Sequence, residues 1–208
     1  LLVVIALAWG GVLHGSGMDM TAGQMTSMAG MDGGMMAPAV WTQGYALLLF
    51  SMWWVMMVAM MLPGAAPMLL LFARVTRQHE PARGPLTPTA VFALGYLIVW
   101  GGFSLVAVTL QWALDKARLI SPMLEISNVW LGAATLMAAG LWQLTPIKKV
   151  CLQHCRTPLS FLLAHWRDGR WGAFRMGLEH GGYCLGCCWF IMVLLFFGGI
   201  MNLYWIAG

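Results

Sequence analysis

Apolar residues along this chain come in long blocks separated by short polar stretches. The blocks run from Leu1 to Leu13, Trp41 to Val75, Thr89 to Leu114, Ile126 to Thr145 and Tyr183 to Ile206. A bilayer span needs about 20 predominantly apolar residues. The pattern therefore predicts an all-α, polytopic helical membrane protein with about five transmembrane helices, forming a single membrane domain over residues 1–208. The first block reads as a clipped helix rather than the remnant of a signal peptide, because it shows neither a basic start nor a small-residue cleavage site.

The second block overshoots one span, and it contains Leu62-Pro63-Gly64-Ala65-Ala66-Pro67. Each proline removes a backbone donor, so a bend is expected there. Between Pro158 and Gly172, Phe161, Leu162, Leu163 and Trp166 stand beside Arg167 and Arg170. That mixture predicts an interfacial helix within a loop over residues 147–172. Arg74, Arg77, Arg83, Lys148, Lys149, Arg156, Arg167, Arg170 and Arg175 all fall in two loops or their margins. The positive-inside rule puts those loops in the cytoplasm and the segment over residues 15–40, which has no Lys or Arg, outside. A multi-pass protein of the bacterial inner membrane is the expected location.

Composition narrows the chemistry. The chain has 208 residues, 61% hydrophobic and 9% charged, with a mean hydropathy of +0.78, which excludes a water-soluble globule. The net charge of +4 reads as basicity facing membrane lipid, not as a nucleic-acid surface. Seven acids and five histidines are too few for a membrane enzyme built on His-rich boxes and several carboxylates. The ligand inventory is sulfur, with Met 18 and Cys 5.

That sulfur is grouped. Met18, Met20, Met25, Met28, Met31, Met35 and Met36 alternate with Gly, Asp, Thr and Ser, with no Leu, Ile or Val between them. A flexible, water-facing tract is expected. Thioethers are soft neutral donors that stay unprotonated, so the tract suits capture of Cu(I), and His14 adds an imidazole. The alternative is a linker whose methionines adhere to membrane or partner. In the second block Met52, Met56 and Met60 form one helical stripe flanked by Met57 and Met61, a pattern that packing also explains.

The last block carries Glu179-His180-Gly181-Gly182-Tyr183-Cys184-Leu185-Gly186-Cys187-Cys188-Trp189. On one continuous helix His180, Cys184, Cys187 and Cys188 fall within a sector of about 100°. Together with Met56 or Met60 they would suit Cu(I), and would not suit Mg or Ca. Gly181 and Gly182 either break that helix or let another approach it closely. Cys151 and Cys155 form an i,i+4 pair at the cytoplasmic mouth of the fourth span, where Lys148, Lys149 and Arg156 are expected to lower thiol pKa. They read as an exit station for metal, or as a plain interfacial pair. The expected order across the membrane is thioethers outside, mixed donors within, thiols inside.

Three strings carry a family resemblance: Met56-Met57-Val58-Ala59-Met60-Met61-Leu62-Pro63, Leu144-Thr145-Pro146-Ile147-Lys148 with Cys151 through Pro158, and Gly177 through Trp189 to Met201-Asn202-Leu203. From about residue 40 onward the chain resembles a largely uncharacterised bacterial family of predicted metal-binding integral membrane proteins. The resemblance implies a metal but names neither the metal nor a reaction. Members of that family continue past the Met201-Asn202-Leu203 region with another apolar segment, which implies a missing C-terminus here.

The leading expectation is a copper(I)-handling membrane protein that captures, transfers or loads copper, as a carrier rather than an enzyme by itself. It would act alone, as a homo-oligomer, or as accessory subunit of a membrane oxidoreductase. No phosphate-binding Gly-rich loop with Lys is visible, so movement would be downhill or driven by a partner. The alternative is a membrane thiol-disulfide oxidoreductase using Cys184-x-x-Cys187. The reducing cytoplasmic side expected for all five cysteines disfavours it. A haem held by His180 and a Met lacks the second imidazole of a bis-His site.

Overall fold

The computed structural model describes residues 1–17, 20–28, 40–79, 84–119, 128–200 and 202–207. Every regular element among them is helical: α1 (Leu2–Leu13), α2 (Ala22–Met28), α3 (Gln43–His79), α4 (Leu86–Lys116), α5 (Val129–Leu144), α6 (Pro146–Arg156), α7 (Pro158–His165), α8 (Gly169–Val193), α9 (Leu195–Gly198) and α10 (Leu203–Ala207), with a 3-10 turn at Gly15–Gly17.

Three segments are long and apolar enough to cross a membrane: Gln43–Gln78, Leu86–Lys116 and Gly169–Gly198. Among the described residues three such helices stand where about five were expected, so the count of five is not confirmed. α1 and α5 are apolar but short. α5 has 16 residues, about 24 Å of helix, against a hydrocarbon core of about 30 Å. It stops where it does because Pro146 excludes the helical conformation at the residue before it. Thr145 is extended (φ −69°, ψ 143°), and its hydroxyl accepts the Lys148 amide at 3.3 Å to cap α6. α3 stays helical for 37 residues with Pro63 and Pro67 inside it. α8 begins at Gly169, well before the apolar run expected to start at Tyr183. In the Met-rich segment, Ala22–Met28 is helical rather than loose coil. Thr21 and Gln24 cap it reciprocally, the Thr21 amide donating to Gln24 Oε1 at 2.9 Å and the Gln24 amide to Thr21 Oγ1 at 3.3 Å.

The chain divides into two compact units. The first comprises Leu1–Met60, Phe103–Gln143 and Phe190–Gly208. Its centre is Trp53, fully buried, whose indole donates to Gln111 Oε1 at 3.0 Å and whose ring packs against Phe103 and Phe196. Trp41 Nε1 donates to Asp115 Oδ2 at 2.6 Å, and the Leu203 amide donates to Thr26 Oγ1 at 2.9 Å.

The second unit comprises Met61–Gly102 and Leu144–Trp189. Here α4 and α8 cross with their backbones in contact. A Cβ at Gly95 would meet the Phe174 carbonyl, and one at Gly177 would meet the Phe92 carbonyl. At Gly181 it would stand 3.0 Å from Val99, so that glycine serves close approach and does not break α8. α7 turns Phe161 and Leu162 into the interior and leaves Leu159 and Leu163 exposed.

Candidate metal centre

The cysteines of α6 and α8 lie together in the second unit. α8 runs unbroken from Gly169 to Val193, so the helical register assumed for His180, Cys184, Cys187 and Cys188 holds. Cys184 and Cys187, one turn apart, are joined by Cys155 from the last turn of α6. Their three Sγ atoms lie within 4.8 Å of one another. Cys155 Sγ is 3.8 Å from Cys187 Sγ, and Cys188 Sγ is 3.1 Å from Cys187 Sγ. All five cysteines are free. Cys151, one turn before Cys155, packs over α8, where a Cβ at Gly186 would come within 2.7 Å of its sulfur.

These spacings fit one soft ion. With metal–thiolate bonds of about 2.3 Å, three sulfurs in a plane around a metal stand about 4 Å apart. The group is thiol-only, the donor type that selects Cu(I) over hard cations. Half-buried Cys155 and Cys184 and buried Cys187 keep water largely away from it.

Two groups around the trio went unnoticed in the sequence. Tyr96, fully buried on α4, donates its hydroxyl to the Met61 carbonyl at 3.2 Å, and its Oη is 3.3 Å from Cys184 Sγ. While Cys184 is a thiol, its proton can point at Oη; once it is a thiolate, the phenol can turn its own proton to the sulfur. The second is an aromatic frame. His180 is 3% exposed, its Nδ1 has no hydrogen-bond partner among the described residues, and its ring lies 5.4 to 6.1 Å from those of Phe161, Tyr96 and Phe92. His154 stacks on Tyr183 at 4.2 Å with its Nδ1 on the Val150 carbonyl.

The expected site residues are thus distributed unevenly. Cys184, Cys187 and Cys155 form the trio, with Cys188 and Cys151 at its edge. Cys155 of the α6 pair lies with the α8 cysteines rather than apart from them, and its basic neighbours do not lower the pair's thiols. Cys155 is raised above the ordinary thiol range by hydrogen bonding to Cys184 and Cys187 and by burial, and Cys151 is raised by burial. Met56, buried, and Met60, half-buried, belong to the first unit, as does half-buried Met20. Met18 lies outside the described residues.

Among the described residues, an all-helical fold with three membrane-length helices and a thiol trio able to hold a metal ion defines the class of helical protein to which this chain is compared. A family model, PpoB2, described as a copper chaperone, matches residues 50–208, and the chain belongs to that family. No curated protein and no solved structure matches it.

Proposed function

We propose that this protein is a membrane-embedded copper chaperone that carries Cu(I) as cargo on Cys155, Cys184 and Cys187. The observation that carries the reading is the convergence of three sulfurs from two helices within 4.8 Å. Cu(I) exchanges between soft donors by gaining one ligand before losing another. Cys188, 3.1 Å from Cys187, is placed to be the incoming sulfur as cargo leaves. Cys151 is the next thiol along α6. His180, one turn before Cys184 with an unpartnered nitrogen, is an imidazole available to the same ion. The Tyr96 hydroxyl steadies the Cys184 thiolate without binding the metal.

In this reading the basic loops face the cytoplasm and the Met-rich segment, including Met18 and Met20, collects copper outside. Met56 and Met60 supply further thioethers in the first unit. The acceptor is a membrane copper enzyme, with this chain as its loading partner. Exposed Trp130, Trp171 and Tyr204 leave apolar surface for lipid, a second copy or that enzyme. Family membership and the arrival of a third thiol from α6 favour metal carriage over disulfide exchange at Cys184 and Cys187.

The test is Cu(I) titration of the purified full chain against a competing chelator. The wild type should hold one tightly bound Cu(I), and Cys155→Ser combined with Cys184→Ser and Cys187→Ser should hold none. A triple variant that keeps stoichiometric copper would remove the site.

A further inference from the structure

Two imidazoles from different helices of the second unit meet near the thiol trio. His154, in the last turn of α6, and His165, at the end of α7, have ring centroids 6.2 Å apart and planes at 72°. Both are half-buried. Aromatic rings brace them: His154 stacks on Tyr183 of α8 at 4.2 Å, and His165 stacks on Phe161 at 4.7 Å. His154 directly precedes Cys155 on α6, and Tyr183 directly precedes Cys184 on α8. The stacked pair and two sulfurs of the trio are thus neighbours along both helices.

Local hydrogen bonds leave one nitrogen of each imidazole for a ligand. His154 Nδ1 donates to the Val150 carbonyl at 2.9 Å, and His165 Nδ1 donates to the Phe161 carbonyl at 3.2 Å. A carbonyl only accepts, so in the neutral ring the proton sits on Nδ1 and the lone pair on Nε2. Metal-binding histidines commonly keep that arrangement, with the second nitrogen tied to a carbonyl. Neither Nε2 takes a hydrogen bond among the described residues.

Spacing agrees. Two imidazoles on one ion, with bonds of about 2.0 Å, have ring centres about 5 Å apart when bent and about 6 Å apart when linear. The observed 6.2 Å leaves room for the linear form, in which the two ring planes are free to stand crosswise. Imidazole suits copper, and linear two-coordination is a geometry that Cu(I) adopts. Packing alone would be served as well by phenyl rings.

We propose that His154 and His165 form a second copper site, holding one Cu(I) between their Nε2 atoms as it passes to or from the thiol trio. The passage rests on the function proposed above; the site itself does not. Imidazole is a less soft donor than thiolate, so this is the weaker site and the ion moves on to sulfur.

The experiment loads Cu(I) onto the full chain with all five cysteines replaced by Ser and reads the ligands by X-ray absorption. Two nitrogens at about 2.0 Å are expected. His154→Phe and His165→Phe keep an aromatic ring in place and remove the donor, so each should lose that nitrogen shell. His14→Phe is the control, because His14 bonds the Gly10 carbonyl at 2.8 Å in the same way but lies in the first unit, and it should leave the shell intact. Circular dichroism checks folding. The same comparison on the wild-type chain, read as the nitrogen added by a second equivalent of Cu(I), covers a cysteine-free background that fails to fold. A nitrogen shell retained while the trio itself binds no copper would support this site and remove only the passage. No nitrogen shell, or one that both Phe substitutions leave unchanged, would overturn the proposal and leave the two rings as packing.

Discussion

Removing one oxygen atom tests how the metal centre is tuned. Tyr96→Phe keeps a ring that is fully buried, so the packing around it changes little. What is lost is the hydroxyl 3.2 Å from the Met61 carbonyl and 3.3 Å from Cys184 Sγ. The bond to the carbonyl is neutral and contributes about 1 kcal/mol to stability. The bond to Cys184 becomes charge-assisted once copper has displaced the thiol proton, when it is worth about 1.5–3 kcal/mol. The phenol has one proton and must leave the Met61 carbonyl to reach the thiolate, so its net contribution to copper binding is about 0.5–2 kcal/mol. At about 1.4 kcal/mol per factor of ten, Cu(I) affinity should fall by about 2- to 30-fold. Affinity would be read by chelator competition, and the same substitution would be made on Cys184→Ser. There it should have almost no further effect, because its partner sulfur is already gone. Unchanged affinity for Tyr96→Phe, or an equal loss in both backgrounds, would refute a role exerted through Cys184.

Gly177→Ala should destabilise the α4–α8 crossing by about 1–3 kcal/mol, since its Cβ would meet the Phe92 carbonyl; unchanged thermal unfolding in detergent would contradict the backbone contact. Cu(I) affinity should rise with pH, because binding must displace the Cys155 proton, which its neighbours hold more tightly than usual. The competition assay should show about one decade per pH unit for each proton released, and a flat profile would exclude thiol ligation. Deleting residues 18–36 should reduce copper loading chiefly at low external copper, and an unchanged dose response would make that segment a linker.

Helix type was legible in the sequence because apolar blocks longer than about 20 residues leave few other solutions. Lengths were less so. Thr145 and Pro146 end α5 early, a local capping effect that averaging over a long apolar window hides. α8 reaches back to Gly169 through Arg170, Arg175 and Glu179, whose charges argued for a loop although Glu179 is paired with Arg167. The α8 face of the metal centre was readable as pure periodicity, from His180 through Cys188. The α6 contribution was not. Cys151 and Cys155 satisfy an i,i+4 rule between themselves, and nothing local says that Cys155 turns instead to a sulfur 32 positions away. Tyr96 was equally hidden, since a single tyrosine in an apolar run carries no pattern. The glycines at 95, 177 and 181 do mark where α4 and α8 approach.

The central claim is that copper sits among Cys155, Cys184 and Cys187, and X-ray absorption at the copper edge of the Cu(I)-loaded full chain tests it most directly. The account predicts a shell of three sulfurs at about 2.3 Å, falling to two in Cys155→Ala. A shell dominated by nitrogen or oxygen, or a sulfur shell that Cys155→Ala leaves unchanged, would contradict it.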